Sequence, residues 1–167
     1  AVSCWGRGVE GQLGNGVALS QYSPTLTSSL GANRTAVAIS SGGYHTCAIL
    51  DSGEVSCWGD GSSGKLGNGA ALNQNSPTLT SSLGSGRTAV ALSSGYMHTC
   101  AILDNGAVSC WGKGSSGQLG KGGASDKTTP TLTSSLGAGR TAVAISLGYY
   151  HTCAILDNAS VSCWGLG

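Results

Sequence analysis

Trp5, Trp58, Trp111 and Trp164 are spaced by 53 residues, without an insertion or deletion anywhere between them. His45, His98 and His151 keep the same period, as do Pro24, Pro77 and Pro130, and Arg34, Arg87 and Arg140. A fixed period of this length means a repeat architecture, in which each unit buries its apolar face against its neighbours. The 167 residues divide into units 1–53, 54–106 and 107–159 and a partial fourth unit, 160–167, which returns to the phase of residues 1–8. The whole of 1–167 reads as one repeat array. It does not start with Met and shows no signal-like apolar segment, so it reads as a mature or excised piece.

Within a unit, the runs Thr35–Ser40, His45–Leu50 and Glu54–Trp58 are short, rich in β-formers and bounded by Gly, Ser and Asp. They read as strands. Apolar residues fall on both alternating faces, Ile49 with Val55 and Leu50 with Trp58. That suits strands buried on both sides. Glycine, 29 of 167 residues, recurs too often for an amphipathic helix.

The segment Leu50-Asp51-Ser52-Gly53-Glu54 reads as a hairpin with a three-residue loop, Gly53 taking the left-handed position. Counting outward, Cys47 faces Cys57, Cys100 faces Cys110 and Cys153 faces Cys163. Opposed antiparallel residues lie about 4.5–5.5 Å apart at Cα, inside the disulfide range. Three intra-hairpin disulfides are the expectation, and with them an oxidising, extracellular setting. Two rivals stay open: a partial zinc site from His45, Cys47 and Cys57, lacking a fourth ligand, and reduced buried thiols. Ala159 stands where the other two hairpins have glycine, which predicts strain or another turn. Cys4 has no facing partner and reads as unpaired or intermolecular.

The pattern G-x-x-H-T-C-A-I-L-D-x-G-x-V-S-C-W-G-x-G-x-x-G-x-L-G-x-G, carried by Gly42–Gly69 and Gly95–Gly122 with fragments at both ends, resembles the regulator of chromosome condensation repeat. The cysteines make it similar to secreted members of that family. The resemblance implies an all-β fold, β-propeller-type blades of four antiparallel strands. The family's nuclear prototype exchanges nucleotide on a small GTPase and docks on nucleosomes. Neither role is carried over, because no exchange residue can be matched and there is no basic patch. Propellers close with about four to eight blades, so about three repeats are open, or part of a larger propeller or fibre.

Charged residues are 9% of the chain and the formal net charge is +1. Such a chain lacks the basic face that nucleic-acid binding needs, and no apolar run reaches the ~18 residues of a membrane span. Histidines repeated once per unit argue packing rather than catalysis, and His45 and Asp51 sit near opposite ends of one strand with five residues between them, beyond hydrogen-bond reach. No catalytic, cofactor or metal site is expected. The tryptophans read as packing between blades, and Arg34, Arg87 and Arg140 as hydrogen-bonders from repeat to repeat.

Positions that differ between units are the candidate binding surface. These are the loops Val17–Ser23, with Tyr22, Ala70–Ser76 and Gly123–Thr129, and the row Tyr44, Met97 and Tyr150 beside Gly43, Tyr96 and Tyr149. Asn33 and Asn158 open glycosylation sequons, and the Thr- and Ser-rich stretches after each proline suit O-linked sugar. The expected function is a non-enzymatic extracellular structural or assembly role, a segment or protomer of a larger propeller or filament. Its partner is protein, further copies of itself or adjoining repeats. The alternatives are a closed propeller that binds a protein partner, as inhibitor or adaptor, and an enzyme-associated module.

Overall fold

A computed structural model describes residues 1–166; Gly167, the last residue of the partial fourth unit, lies outside them. Thirteen strands follow in order: β1 (Ser3–Gly6), β2 (Gln21–Leu26), β3 (Ala36–Ser41), β4 (His45–Leu50), β5 (Val55–Gly59), β6 (Gln74–Leu79), β7 (Ala89–Ser94), β8 (His98–Leu103), β9 (Val108–Gly112), β10 (Lys127–Leu132), β11 (Ala142–Leu147), β12 (His151–Leu156) and β13 (Val161–Gly165). They form antiparallel sheets β1-β2, β3-β4-β5-β6, β7-β8-β9-β10 and β11-β12-β13. The fold is all-β, with blade-like four-stranded sheets that do not close into a ring.

Each four-stranded sheet straddles two units: β3 to β5 come before the Trp-Gly corner, and β6 starts 15 residues after Gly59. The outermost strands β2, β6 and β10 each contain the repeated proline. Proline donates no hydrogen bond, so an edge strand is where a sheet tolerates it. The candidate loops are therefore shorter than expected. Their last three residues are strand, in β2, β6 and β10.

The hairpin register places Ile49 opposite Val55 and Cys47 opposite Cys57, and the next two sheets repeat this. Disulfides join Cys47–Cys57, Cys100–Cys110 and Cys153–Cys163, each with Cα atoms 4.1 Å apart. The zinc alternative thereby loses its thiolates. Cys4 is free; burial raises its thiol pKa. Gly53 and Gly106 turn their hairpins at φ 78° and 76°, and Ala159 adopts the same left-handed conformation at φ 65°.

The core lies between sheets, and strand alternation explains why. Cys100, Ile102, Val108 and Cys110 pack towards β11–β13. Their neighbours Ala101, Leu103 and Trp111 pack towards β3–β6, against Cys47, Ile49, Val55 and Cys57. Both faces of a central sheet are thus buried.

Candidate functional site

Adjacent sheets are fastened by one repeated arrangement. His45 Nε2 lies 2.7 Å from Thr99 Oγ1, and His98 Nε2 lies 2.9 Å from Thr152 Oγ1, in each case across to the next sheet. Thr99 donates its hydroxyl proton to the Lys65 carbonyl and Thr152 to that of Gln118, both at 2.9 Å. Each hydroxyl has only one proton, so its oxygen accepts from the histidine. This assigns the imidazole proton to Nε2 and leaves Nδ1 a buried acceptor without a partner. Burial, with the Lys65 ammonium nearby, lowers the His45 pKa to about 3, and burial lowers that of His98 to about 4. These histidines are neutral fasteners.

Trp58 and Trp111 are fully buried between sheets, Trp58 where β1-β2 meets β3–β6 and Trp111 where β3–β6 meets β7–β10. Trp58 Nε1 donates to the Gln12 carbonyl at 3.0 Å. Trp111 lies flat against Gly67, where an added Cβ would come within 2.7 Å of the indole nitrogen. The arginines do not bridge repeats. Arg34, Arg87 and Arg140 pair with Asp51, Asp104 and Asp157 at 3.7, 3.3 and 3.5 Å, each within its own unit and its own sheet. The three Arg-Asp pairs are each 17 residues apart because Arg precedes the first strand of a sheet and Asp follows the second.

The sharpest departure from uniform repetition is at the opposite end of the strands, just before β4, β8 and β12. Tyr44 meets Tyr96 edge-on at 5.4 Å, Tyr96 stacks on Tyr149 at 3.8 Å, and Tyr149 meets Tyr150 at 4.3 Å. The ladder runs across three sheets. Arg7 lies over Tyr44 at 5.5 Å and Lys113 over Tyr150 at 5.7 Å, both within cation–π distance. Tyr44 and Tyr150 of the expected row belong to this ladder; Tyr96 and Tyr149 complete it. Met97 does not join it, because its sulfur sits 3.2 Å from Lys65 Nζ. Tyr22 stands fully exposed on the outermost strand β2, apart from the ladder. Asn33 and Asn158 are both exposed, Asn158 accepting bonds from Ser160.

Lys65 is the residue that sequence reasoning passed over. Its side chain is completely buried, 2.5 Å from Asp60 and 3.1 Å from Ser62 Oγ. Burial pushes the Asp60 carboxyl up, and the bonds from Lys65 and Ser62 outweigh it, so its pKa lies below the ordinary value. Lysine here, against glutamine at 12 and 118, is the signal that could have found it.

The family model for the regulator of chromosome condensation (RCC1) repeat matches residues 2–49, 52–102 and 105–155, and a second model of that description matches 36–65 and 89–118. The chain is 34% identical over 167 residues to the ultraviolet-B receptor UVR8 of Arabidopsis thaliana, spanning 99% of this chain and 37% of the receptor. It is 34% identical over 170 residues to the E3 ubiquitin-protein ligase HERC2 of Homo sapiens, of which it spans 4%. Among solved structures, Prp20p from Saccharomyces cerevisiae, characterised with its binding to Gsp1p and histones, superposes with a TM-score of 0.84 at 24% identity, over 99% of this chain and 41% of that one. Human WBSCR16 superposes with a TM-score of 0.83 at 21% identity, over 95% of this chain and 40% of that one. These likenesses establish the fold. The chain spans well under half the length of each.

Proposed function

The chain belongs to the regulator of chromosome condensation repeat family, and from that premise we propose that it is a non-enzymatic assembly module of the extracellular space, with further repeats of the same pattern docked on its end sheets. One observation carries the reading. The same side chains are buried between the central sheets and bare on the last one: Ile102 is 2% exposed and Ile155 44%, Val108 1% and Val161 66%. His151 is exposed in the position where His45 and His98 reach the next sheet. Water-exposed apolar surface of this kind is stabilised by a cover, and the chain itself supplies the pattern of that cover twice.

The other end supports the same reading. Beside β1 lies a cleft of about 450 Å³ lined by Cys4, Trp5, Ile39, Gly43, His45 and Thr46, among others. Cys4 pairs with Thr25 across to β2 as Cys57 pairs with Thr78. The free edge of β1 corresponds to the edge that β4 occupies on β5. A docked strand bearing cysteine would face Cys4 there, within disulfide geometry. Three disulfides favour an oxidising compartment, and exposed Asn33 and Asn158 suit glycans.

Sedimentation velocity at two concentrations, with native and Cys4→Ser protein, tests the proposal. Concentration-dependent assembly that Cys4→Ser weakens is expected. A sharp, concentration-independent monomer overturns it. Negative-stain imaging of the assembled particle then separates ring from fibre.

A second reading, a propeller that captures a protein partner, is favoured by the tyrosine ladder. Prp20p binds Gsp1p and histones, and a protein-binding role is what we carry over. Tyrosine supplies contact area at low entropic cost, so a partner would engage Tyr44, Tyr96 and Tyr150.

A further inference from the structure

The corner loops after β1, β5 and β9 each carry a cation, Arg7 and Lys113 against the ladder and Lys65 against Met97, but only two of the three give it an acid. In the first, Glu10 accepts from Arg7 at 2.6 and 3.2 Å and from Gln12 Nε2 at 2.9 Å. Gln12 is held for this because its Oε1 accepts the Glu10 backbone N–H at 3.0 Å. In the second, Lys65 is paired with Asp60. The third loop repeats the geometry of the first. Gly117 N–H bonds the Gly114 carbonyl at 2.9 Å as Gly11 N–H bonds the Gly8 carbonyl at 3.0 Å. Gln118 Oε1 accepts the Ser116 backbone N–H at 2.9 Å, and Lys113 lies over Tyr150 as Arg7 lies over Tyr44.

What differs is the acid. Ser116 stands in the phase of Glu10. Lys113 has no carboxylate partner among the described residues, and Gln118, completely buried, has an Nε2 without a hydrogen-bond acceptor. Leaving a buried amide without an acceptor forfeits its hydration with nothing in return, and the first loop shows which group satisfies that geometry.

We propose that Lys113, Gln118 and Tyr150 form a carboxylate-binding site, and that its ligand is an acidic side chain of a protein partner lying along the tyrosine ladder. The Lys113 ammonium and the Gln118 amide donate to the incoming carboxylate, as Arg7 and Gln12 donate to Glu10, and the Tyr150 ring walls the site. The protein source of the carboxylate rests on the partner-capture reading above; the chemistry of the site does not.

The test follows the Gln118 side-chain amide by ¹⁵N–¹H correlation, assigned by its loss in Gln118→Leu. Titration with sodium acetate against sodium chloride at equal ionic strength is expected to give a saturable shift with acetate alone. Lys113→Gln should weaken that response about tenfold, the scale of one charge-assisted hydrogen bond. Ser116→Glu should place the resonance at its acetate-bound position from the start and abolish the response. An amide that ignores acetate in the native chain and stays unmoved by Ser116→Glu overturns the site; an N–H aimed at the Tyr150 ring would behave so. N-acetyl-glutamate amide and N-acetyl-glutamine amide distinguish the source: if both are ignored while acetate binds, the acidic side chain falls and the carboxylate site stands. Sedimentation reads assembly separately.

Discussion

The sheets β7–β10 and β11–β13 carry nearly the same residues and live in different surroundings. Both contain H-T-C-A-I-L and V-S-C-W-G. In β8 and β9 every residue of these runs is buried, whereas in β12 and β13 burial alternates or is lost. The sequence of a strand here sets which faces are apolar; only the neighbouring sheet decides whether a face is buried. The His-Thr-carbonyl fastener makes the same point, since His98 closes on Thr152 and His151 remains open.

Acid should break that likeness most strongly. His45 and His98 have pKa values lowered to about 3 and about 4 in the fold, against about 6.5 in an unfolded chain. Above pH 6.5 neither state binds the proton and stability is unaffected. As pH falls below 6.5 the unfolded state takes it up first, and stability is lost at about 1.4 kcal/mol per pH unit for each histidine. By pH 4 the two together should cost on the order of 5 kcal/mol. Urea unfolding at pH 7 and pH 4.5 measures this. The double variant His45→Gln/His98→Gln should flatten the dependence in that window.

Tryptophan gives the next largest contrast. Trp58→Ala should cost about 3–5 kcal/mol, the usual range for a buried large aromatic. Trp5, of the same phase but 62% exposed, should cost less than about 0.5 kcal/mol when changed to Ala. Denaturant midpoints of the two variants decide it. Equal losses would mean that the end sheet is covered in solution, which would sharpen the assembly proposal.

Disulfides rank third. Each closes a ten-residue separation, for which loop-closure entropy gives about 2.5 kcal/mol. Cys100→Ala/Cys110→Ala should approach or exceed that value because the pair is buried between sheets. Cys153→Ala/Cys163→Ala, on the open sheet, should lose the cross-link contribution with less packing. Thermal unfolding with and without reductant separates the parts.

Most of this frame was legible from the repeat. The period marked the units, and the Asp-x-Gly loop fixed the register that sets Cys47 opposite Cys57. The fourth strand was hidden because Pro24, Pro77 and Pro130 look like turn residues until the strand is known to lie at an edge. Arg87 pairs inside its own sheet because antiparallel folding returns Asp104 to it, a contact that period alone does not reveal. Lys65 and Gln118 were missed for opposite reasons. Lys65 differs once among similar units and looks like drift until its neighbours, Asp60 and Met97, are seen around it; Gln118 repeats Gln12 and looks uniform until Ser116 is seen in the place of Glu10.

The smallest expected effect concerns the third hairpin. Ala159 holds φ 65°, where the other hairpins have Gly53 and Gly106. A left-handed conformation costs an L-residue roughly 1–2 kcal/mol, and glycine gives back part of that through its unfolded-state entropy. Ala159→Gly should therefore stabilise by about 0.5–1 kcal/mol, measurable as a raised unfolding midpoint. The neighbouring sheets explain why alanine is tolerated here alone. A Cβ on Gly53 would fall 2.5 Å from Thr88 Cβ, and one on Gly106 would fall 2.4 Å from Thr141 Cβ, both on the following sheet. Gly106→Ala should thus cost more than the backbone term, because Thr141 presses on it. Ala159 meets no such threonine among the described residues. If a further repeat docks on β11–β13 as β11–β13 dock on β7–β10, its threonine meets the Ala159 methyl group. Ala159→Gly should then lower the concentration at which the chain assembles, beyond its gain in stability. Assembly unchanged by this substitution, with the midpoint raised, would mean that the end sheet is covered in a different geometry from the one the chain displays internally.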